Sequence, residues 1–376
     1  MNPAVQTTHP PIAVFLSYSG DGGVERMMTL LARGMADRGH AVDLLVVKGA
    51  GGHFQKLHPQ VRVLQVGANH TWMALPFLVR YLRRVRPRAL LVAKDRANRT
   101  AIRARRWAGV DVPLVVRLGT HLRRSLQGKP RLVFWWRARL MRQAYGHADR
   151  VVAVSDGVAA DTQDITGLPA GKITVIRNPT VFPEITERAE EPAEHPWFTA
   201  SPVPLVVGIG RLTGQKDFAT LIHAFAHLQV QRPSRLVIFG EGADRPALEA
   251  LVEQLGLSHC VALPGFTNNP YAHLARADLF VLSSAWEGSP NVLVEAMAVG
   301  TPVVSTDCDS GPREILAGGA YGPLVEVGDA EALATAMERT LQNPLPANEL
   351  QGAVSEYHLD RSVERYLQAL GIPSLK

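Results

Sequence analysis

Short β-branched runs alternating with longer amphipathic stretches are what most narrow the fold of this chain. IAVFLSY precedes VERMMTLLARGMADRG, AVDLLVV follows, and VRVLQV, ALLVA, PLVVR and RVVAVS continue the series. Strands apolar along their whole length are buried on both faces, and parallel strands each need a crossover helix. The rhythm therefore predicts a doubly wound α/β domain over residues 1–180. A stretch dense in proline and acids, NPTVFPEITERAEEPAEHPWFTASPVP, then interrupts it, which predicts a linker over residues 181–203. The pattern restarts with LVVGIG, RLVIFG, CVALPG, ADLFVLSS and PVVST, a second sheet of the same type over 204–356. Residues 357–376 hold LDRSVERYLQAL, an amphipathic helix that fits either domain.

Composition excludes several classes. Of 376 residues, 46% are apolar and 20% charged, the proportions of a globular protein too long for a single core. No apolar run reaches the length of a membrane span, and the start MNPAVQTTHPP lacks a basic segment followed by an apolar one, so a cytoplasmic protein is expected. Two cysteines, Cys260 and Cys308, are too few for a disulfide framework or a zinc cluster. The net charge of +6 conceals a division. Residues 1–190 carry 29 Lys and Arg against 13 Asp and Glu, whereas 191–376 carry 11 against 21. The first half thus favours an anionic partner, nucleic acid or a membrane surface, unless its arginines are simply solvated.

Open α/β sheets bind ligands beyond the carboxyl ends of their strands, so chemistry is expected just after strands. Ser19 to Glu25 follows the first strand, and Gly22 and Gly23 let the backbone turn and approach a ligand ahead of a helix N-terminus. The spacing is not that of a dinucleotide fingerprint, and an ordinary tight turn is the alternative. In the second half, Gly210, Arg211 and Lys216 lie between a strand and a helix, where two cations suit a diphosphate or are helix-start surface charges. Glu287 ends the strand ADLFVLSS and Glu295 follows eight positions later, inside a helix opened by Pro290. Amides of Asn291 and Val292 would receive phosphate oxygens, and Glu295 would accept hydrogen bonds from a diol. Its neighbours are apolar, where a carboxylate is costly without a partner.

Glu287 and Glu295, separated by seven residues, resemble the signature of the retaining family 4 glycosyltransferases, glycosyltransferases group 1. GRLTGQKDFATLIHAF, VIFGEGADRPALEALVEQLGL and VALPGFTNNP are similar to successive donor-side units of that family. The resemblance implies the GT-B architecture, two doubly wound Rossmann-like domains facing across a cleft. It implies that Arg211 and Lys216 hold a donor diphosphate, Glu295 a ribose, and Pro264, Gly265 and Phe266 a nucleobase. Glu287 would lie against the sugar, with Gly210 and the amides from Ser289 through Pro290 and Asn291 to Val292 completing the donor site. His121, in VVRLGTHLRRS, is similar to a family histidine that touches the transferring sugar, and Gly22 and Gly23 to an acceptor-side loop. Leu122 stands after His121 where the family has Asp, Gly or Asn, and no aspartate follows Asn178-Pro179. Asp307-Cys308-Asp309 matches the manganese motif of a different, single-domain transferase layout, so neither a metal nor a cofactor is expected.

The implied partners are a nucleotide-sugar donor, UDP-linked, and a lipid-linked or surface-polysaccharide acceptor, the sugar being an N-acetylhexosamine or hexose. Cys308 to Leu316 resembles a subgroup acting on N-acetylhexosamines. A non-hydrolysing UDP-sugar epimerase, or a nucleotide- or nucleic-acid-binding protein, are the alternatives, though no nucleic-acid motif accompanies the basic charge. Arg131, Trp135, Arg139 and Arg142 fall within about 80° on a helix, a stripe that suits the inner face of an anionic membrane. Leu132, Val133, Trp136, Leu140, Met141 and Ala144 are expected to face the core. Arg123, Arg124 and Lys129 add charge nearby, and a second basic face is expected on a helix bearing Arg80, Arg83, Arg84 and Arg88. Packing of Trp135 on arginine stems is the alternative.

Overall fold

The apolar runs of the first half form seven strands, β1 (Ile12–Ser17), β2 (Val42–Val47), β3 (Val61–Gln65), β4 (Ala89–Ala93), β5 (Leu114–Leu118), β6 (Arg150–Ala153) and β7 (Ile173–Val175). Those of the second form six, β8 (Leu205–Ile209), β9 (Arg235–Phe239), β10 (Val261–Gly265), β11 (Leu279–Leu282), β12 (Val303–Thr306) and β13 (Leu324–Val325). In this computed structural model residues 9–17, 22–47, 57–126, 128, 130–199 and 201–373 are described. The chain divides into two units, Met1–Pro179 with Leu359–Lys376, and Thr180–His358.

Every strand pairing in both sheets is parallel. The first sheet runs β3-β2-β1-β4-β5-β6-β7 and the second β10-β9-β8-β11-β12-β13. Helices Leu75–Val85, Asp95–Ala108 and Arg131–Gly146 cover one face of the first sheet, where Leu78, Ala101 and Tyr145 join Phe15 and Val92 in one core. Successive residues of a strand point to opposite faces, and β8 shows it: Val206 enters one core of the second unit, Leu205 and Val207 the other. Asp43, inside β2, is buried; its carboxylate accepts hydrogen bonds from Arg62 at 2.9 and 2.7 Å and from the Tyr81 hydroxyl at 2.7 Å.

The helix Leu359–Ala369 belongs to the first unit. It packs on Gly23–Asp37, and a Cβ at Gly34 would meet Val363 Cγ2 at 2.6 Å, so the close approach requires glycine. Ser362 Oγ donates to the Arg177 carbonyl at 3.0 Å, and Arg38 pairs with Asp360 at 2.8 Å.

Three expectations differ from the structure. Residues 181–203 are not an open linker: they hold the helix Glu184–Glu190 and a 3-10 turn, Pro196–Phe198, packed on the second unit. Ile185 and Phe198 are buried, and Arg188 lies 4.9 Å from the Tyr271 ring centroid. Proline and acid content describes the exposed side of this segment and misses its few apolar anchors. The second difference is the helix Arg131–Gly146, whose buried residues are Met141 and Tyr145. Leu132, Val133, Trp136 and Leu140, expected inside, are exposed along with Trp135. Lys129 lies outside the described residues. Arg88 is not on the helix with Arg80, because that helix stops at Val85, two residues before Pro87.

His273 is 1% exposed, with Phe198 and Phe239 ring centroids 4.8 and 4.2 Å away. Its Nδ1 donates to the Asn269 carbonyl at 2.9 Å, and Nε2 meets no hydrogen-bond partner among the described residues. Burial, aided by the Arg276 charge, holds its pKa below the ordinary 6.5 against the opposing Asn269 bond and Glu194 charge. Burial also lowers His195, beside it. Below pH 6.5 the unfolded chain binds protons that the folded chain refuses, so folding stability is complete above that pH and falls as pH drops below it. The melting temperature should therefore decline between pH 7.5 and 5.5, and His273→Gln should make the decline shallower; an equal slope in the variant would assign the loss elsewhere.

Candidate active site

Strand order reverses around β8, which lies between β9 and β11, so the loops leaving β8 and β11 diverge and open a crevice. The β8 loop carries Gly210, Arg211 and Lys216 before the helix Phe218–Gln231. The β11 loop carries Ser283 to Pro290 before the helix Asn291–Ala298. Neighbouring loops interlock through glycine: Gly240, at φ +145°, has no room for a Cβ, which would sit 1.8 Å from the Gly210 carbonyl oxygen.

The two diverging loops are joined by one ion pair. Lys216 Nζ donates to Glu287 Oε1 at 2.5 Å, and Ser284 Oγ donates to the same oxygen at 2.8 Å. Glu287 is 8% exposed, and its Oε2 makes no hydrogen bond among the described residues. Backbone ties reinforce the junction: Ser283 Oγ donates to the Lys216 carbonyl at 2.8 Å, and the Ala285 amide to the Gln215 carbonyl at 2.9 Å. The Arg211 side chain is exposed at the head of this group and makes no hydrogen bond or ion pair among the described residues. The cluster thus offers one free guanidinium, one ammonium held in place and one carboxylate oxygen open to a ligand.

Glu295 is buried in the helix that follows, and Asn291 and Val292 in its first turn are half-buried. Asn291 Oδ1 accepts from Thr180 Oγ1 at 3.3 Å. Ser289 and Pro290 are braced from β12's loop: Ser310 Oγ donates to the Gly288 carbonyl at 2.8 Å, and a Cβ at Gly311, φ +93°, would strike Pro290 Cδ at 2.4 Å. At the end of β10, Gly265 has φ +100°, Pro264 is exposed and Phe266 presents 65% of its surface. Asp307 is bound by Arg313, and among the described residues no group of three His, Cys, Asp or Glu is placed to hold a metal ion. The Cys308 thiol is pushed up to about 12, first by burial and then by the Glu287 charge, which makes it inert at neutral pH.

The first unit repeats the arrangement at its own reversal, between β1 and β4. Gly22 and Gly23 open the helix after β1; Glu25, in its first turn, is buried. Lys94, at φ +76° after β4, donates to Glu25 Oε1 at 2.5 Å and to the Ser17 carbonyl at 2.9 Å. His121 follows β5 and is largely enclosed, with Nε2 unpartnered among the described residues. Asp161, buried on the helix Asp156–Thr166, accepts from the Leu122 and Arg123 amides at 2.5 and 3.2 Å, and its Oδ1 stands 3.9 Å from His121 Nδ1. It therefore fixes the backbone that carries the imidazole.

Four of these contributors, Lys94, Asp161, Ser284 and Ser310, have no sequence motif to announce them. Lys94 could have been found by its position: it is a cation directly after a buried strand at the reversal of strand order.

Residues 188–358 match the profile of the glycosyl transferases group 1, and residues 21–180 that of glycosyltransferase family 4. The lipopolysaccharide core biosynthesis glycosyltransferase LpsE of Rhizobium meliloti is 27% identical over 372 residues, covering 94% of this chain and 97% of that one. The N-acetylgalactosamine-N,N'-diacetylbacillosaminyl-diphospho-undecaprenol 4-alpha-N-acetylgalactosaminyltransferase of Campylobacter jejuni is 32% identical over 204 residues. Those residues are 54% of this chain and 54% of that enzyme, so the match spans about half of its length. Among solved structures, Anabaena HepE in complex with UDP and glucose superposes with a TM-score of 0.77 at 21% identity, covering 96% of this chain and 100% of that one. With both halves matched in order on two parallel sheets, the chain belongs to the family 4 glycosyltransferases of the GT-B architecture.

Proposed function

We propose that this chain transfers an N-acetylhexosamine or hexose from a UDP-linked donor to a lipid-linked or surface-polysaccharide acceptor, with retention of anomeric configuration. The observation that carries the reading is the junction of free Arg211, Lys216 and Glu287 where strand order reverses around β8. Departure of a nucleoside diphosphate builds negative charge on the leaving phosphate and positive charge on the sugar ring. Arg211, Lys216 and the amides opening Asn291–Ala298 answer the first, and the open Glu287 Oε2 answers the second. Glu295 takes the ribose hydroxyls and Phe266 offers a face to the base. In the first unit Gly22 and Gly23 belong to the acceptor side, and His121, held by Asp161, addresses the transferring sugar.

Support for the donor and acceptor classes comes from relatives. HepE is solved with UDP, LpsE is named for lipopolysaccharide core biosynthesis, and the Campylobacter enzyme for transfer of N-acetylgalactosamine to a diphospho-undecaprenol-linked glycan. A panel of UDP-, GDP- and ADP-sugars, scored by thermal shift and then by turnover with and without acceptor, tests the reading. Stabilisation by a UDP-sugar with acceptor-dependent turnover supports it; conversion of the donor to its epimer without acceptor overturns it.

Three variant experiments follow from the assigned roles. Arg211→Ala and Lys216→Ala should each weaken UDP by about tenfold or more while leaving uridine nearly unchanged, as expected for charge-assisted bonds to phosphate. Equal losses for both ligands in calorimetry would trace the effect to folding instead. Glu295→Gln should weaken UDP itself, whereas Glu287→Gln should lower kcat by about a hundredfold with little change in donor affinity. Unchanged UDP binding in the Glu295 variant would refute the ribose contact. Asp161→Asn should lower kcat but spare UDP affinity, since it acts only through His121; a kcat equal to that of the unaltered protein would remove Asp161 from the mechanism.

A further inference from the structure

In the first unit the helices Leu75–Val85, Asp95–Ala108 and Arg131–Gly146 form one layer, their inner residues sharing a single core. The outer side of this layer is unlike that of an ordinary soluble helix layer. Arg131–Gly146 buries only Met141 and Tyr145, with Phe134 and Ala138 half-buried against the core, so the rest of its first ten residues face outward. Leu132 is 79% exposed, Trp135 63% and Trp136 58%, and Val133 and Leu140 are also exposed. Interleaved with them stand Arg131, Arg137, Arg139 and Arg142, all exposed, with the Arg139 guanidinium 5.9 Å from the Trp135 ring centroid. No Asp or Glu occurs from Val112 to Ala148, nor from Leu44 to Lys94.

The basic and aromatic character continues onto the adjoining helices. Trp72 and Trp107 are exposed, and a groove of about 450 Å³ is lined by Pro76, Val79, Arg80, Arg83, Arg84 and Trp107. Arg83 is held by the Trp107 and Ala108 carbonyls at 2.7 and 3.1 Å. The side chains of Arg80 and Arg84 are exposed and make no hydrogen bond or ion pair among the described residues.

We infer that this outer face docks on an anionic lipid bilayer, with Leu132, Val133, Trp135, Trp136 and Leu140 entering the headgroup and acyl boundary. The arginines lie against lipid phosphates, and the groove beside Arg80 and Arg84 seats a headgroup. Charge selects this occupant. A second copy related by a two-fold axis would set arginine against arginine on a face with almost no acids to pair them. A nucleic acid would satisfy the cations yet leave two leucines and a valine without an apolar surface to join. A bilayer meets both needs at once, as interfacial helices with Trp and Arg do. No described helix is long and apolar enough to cross the membrane, so the contact is with one surface. The inference goes beyond the transferase reading and stands without it.

Cosedimentation of the full chain with phosphatidylcholine vesicles, with and without phosphatidylglycerol, tests it at low and physiological salt. Arg131→Glu/Arg139→Glu/Arg142→Glu and, separately, Leu132→Ser/Trp136→Ser are compared with the unaltered protein. All should keep its melting temperature, because the replaced side chains are exposed. Binding should require phosphatidylglycerol, weaken with salt, and fall by about tenfold or more in each variant, with a blue shift of tryptophan emission on binding only in the unaltered protein. Binding indifferent to lipid charge and to both variants would overturn the inference. So would a protein that ignores vesicles but is dimeric by light scattering and becomes monomeric in the Leu132/Trp136 variant.

Discussion

The handedness of strand-helix-strand connections governs everything else in this molecule. A right-handed crossover puts the helix on one face when the chain moves to one side of a sheet, and on the other when it moves the opposite way. Where the order reverses, at β1 and β4 and again at β8 and β11, consecutive helices leave on opposite faces and the loops between them part. No side chain needs to hold these crevices open. Side chains are needed to hold them at one width, and both units meet that need with a cation and a carboxylate.

In the second unit the cation stands on the first loop and the carboxylate on the other, Lys216 to Glu287. In the first unit the polarity is inverted, Glu25 to Lys94. Burying such a pair costs desolvation that its attraction repays only when further hydrogen bonds satisfy the charges. Ser284 supplies one at Glu287 and the Ser17 carbonyl one at Lys94. Apolar residues would close the same gap at less cost, so polar staples at both reversals argue for ligand contact there rather than for stability alone.

The parallel sheets were legible because buried strands leave unbroken apolar runs, and the glycine, cation and carboxylate positions because they fall just beyond those runs. What was hidden depends on contacts between distant segments. Asp161 looks like any helix acid until the Leu122 amide, 39 positions away, is found on its carboxylate. Ser284 and Ser310 are small residues whose role lies in which oxygen they reach. The error over Leu132, Val133, Trp136 and Leu140 has a different source. Helical periodicity assigns a broad apolar arc to the inside, and here only a narrower line, Phe134, Ala138, Met141, Ala144 and Tyr145, meets the core. Residues 181–203 erred the opposite way, since Ile185 and Phe198 suffice to pin a segment that composition reads as loose.

Net charge by itself would put an anionic donor on the first half, away from the cluster proposed to hold it. The acidic half carries the cation cluster proposed to hold a diphosphate, and the basic half carries Gly22 and Gly23, proposed for the acceptor side. Distance resolves the contradiction. At physiological salt, charges more than about 8 Å apart on a wet surface scarcely feel one another, so phosphates at this cluster would respond to Arg211 and Lys216 rather than to the distant acids of that half. A surface as broad as a membrane does respond to spread charge, because every exposed arginine on the contacting face lies within that length of some headgroup. The positive excess of the first half therefore bears on an extended partner, while the chemistry of each crevice is decided by the few charges inside it.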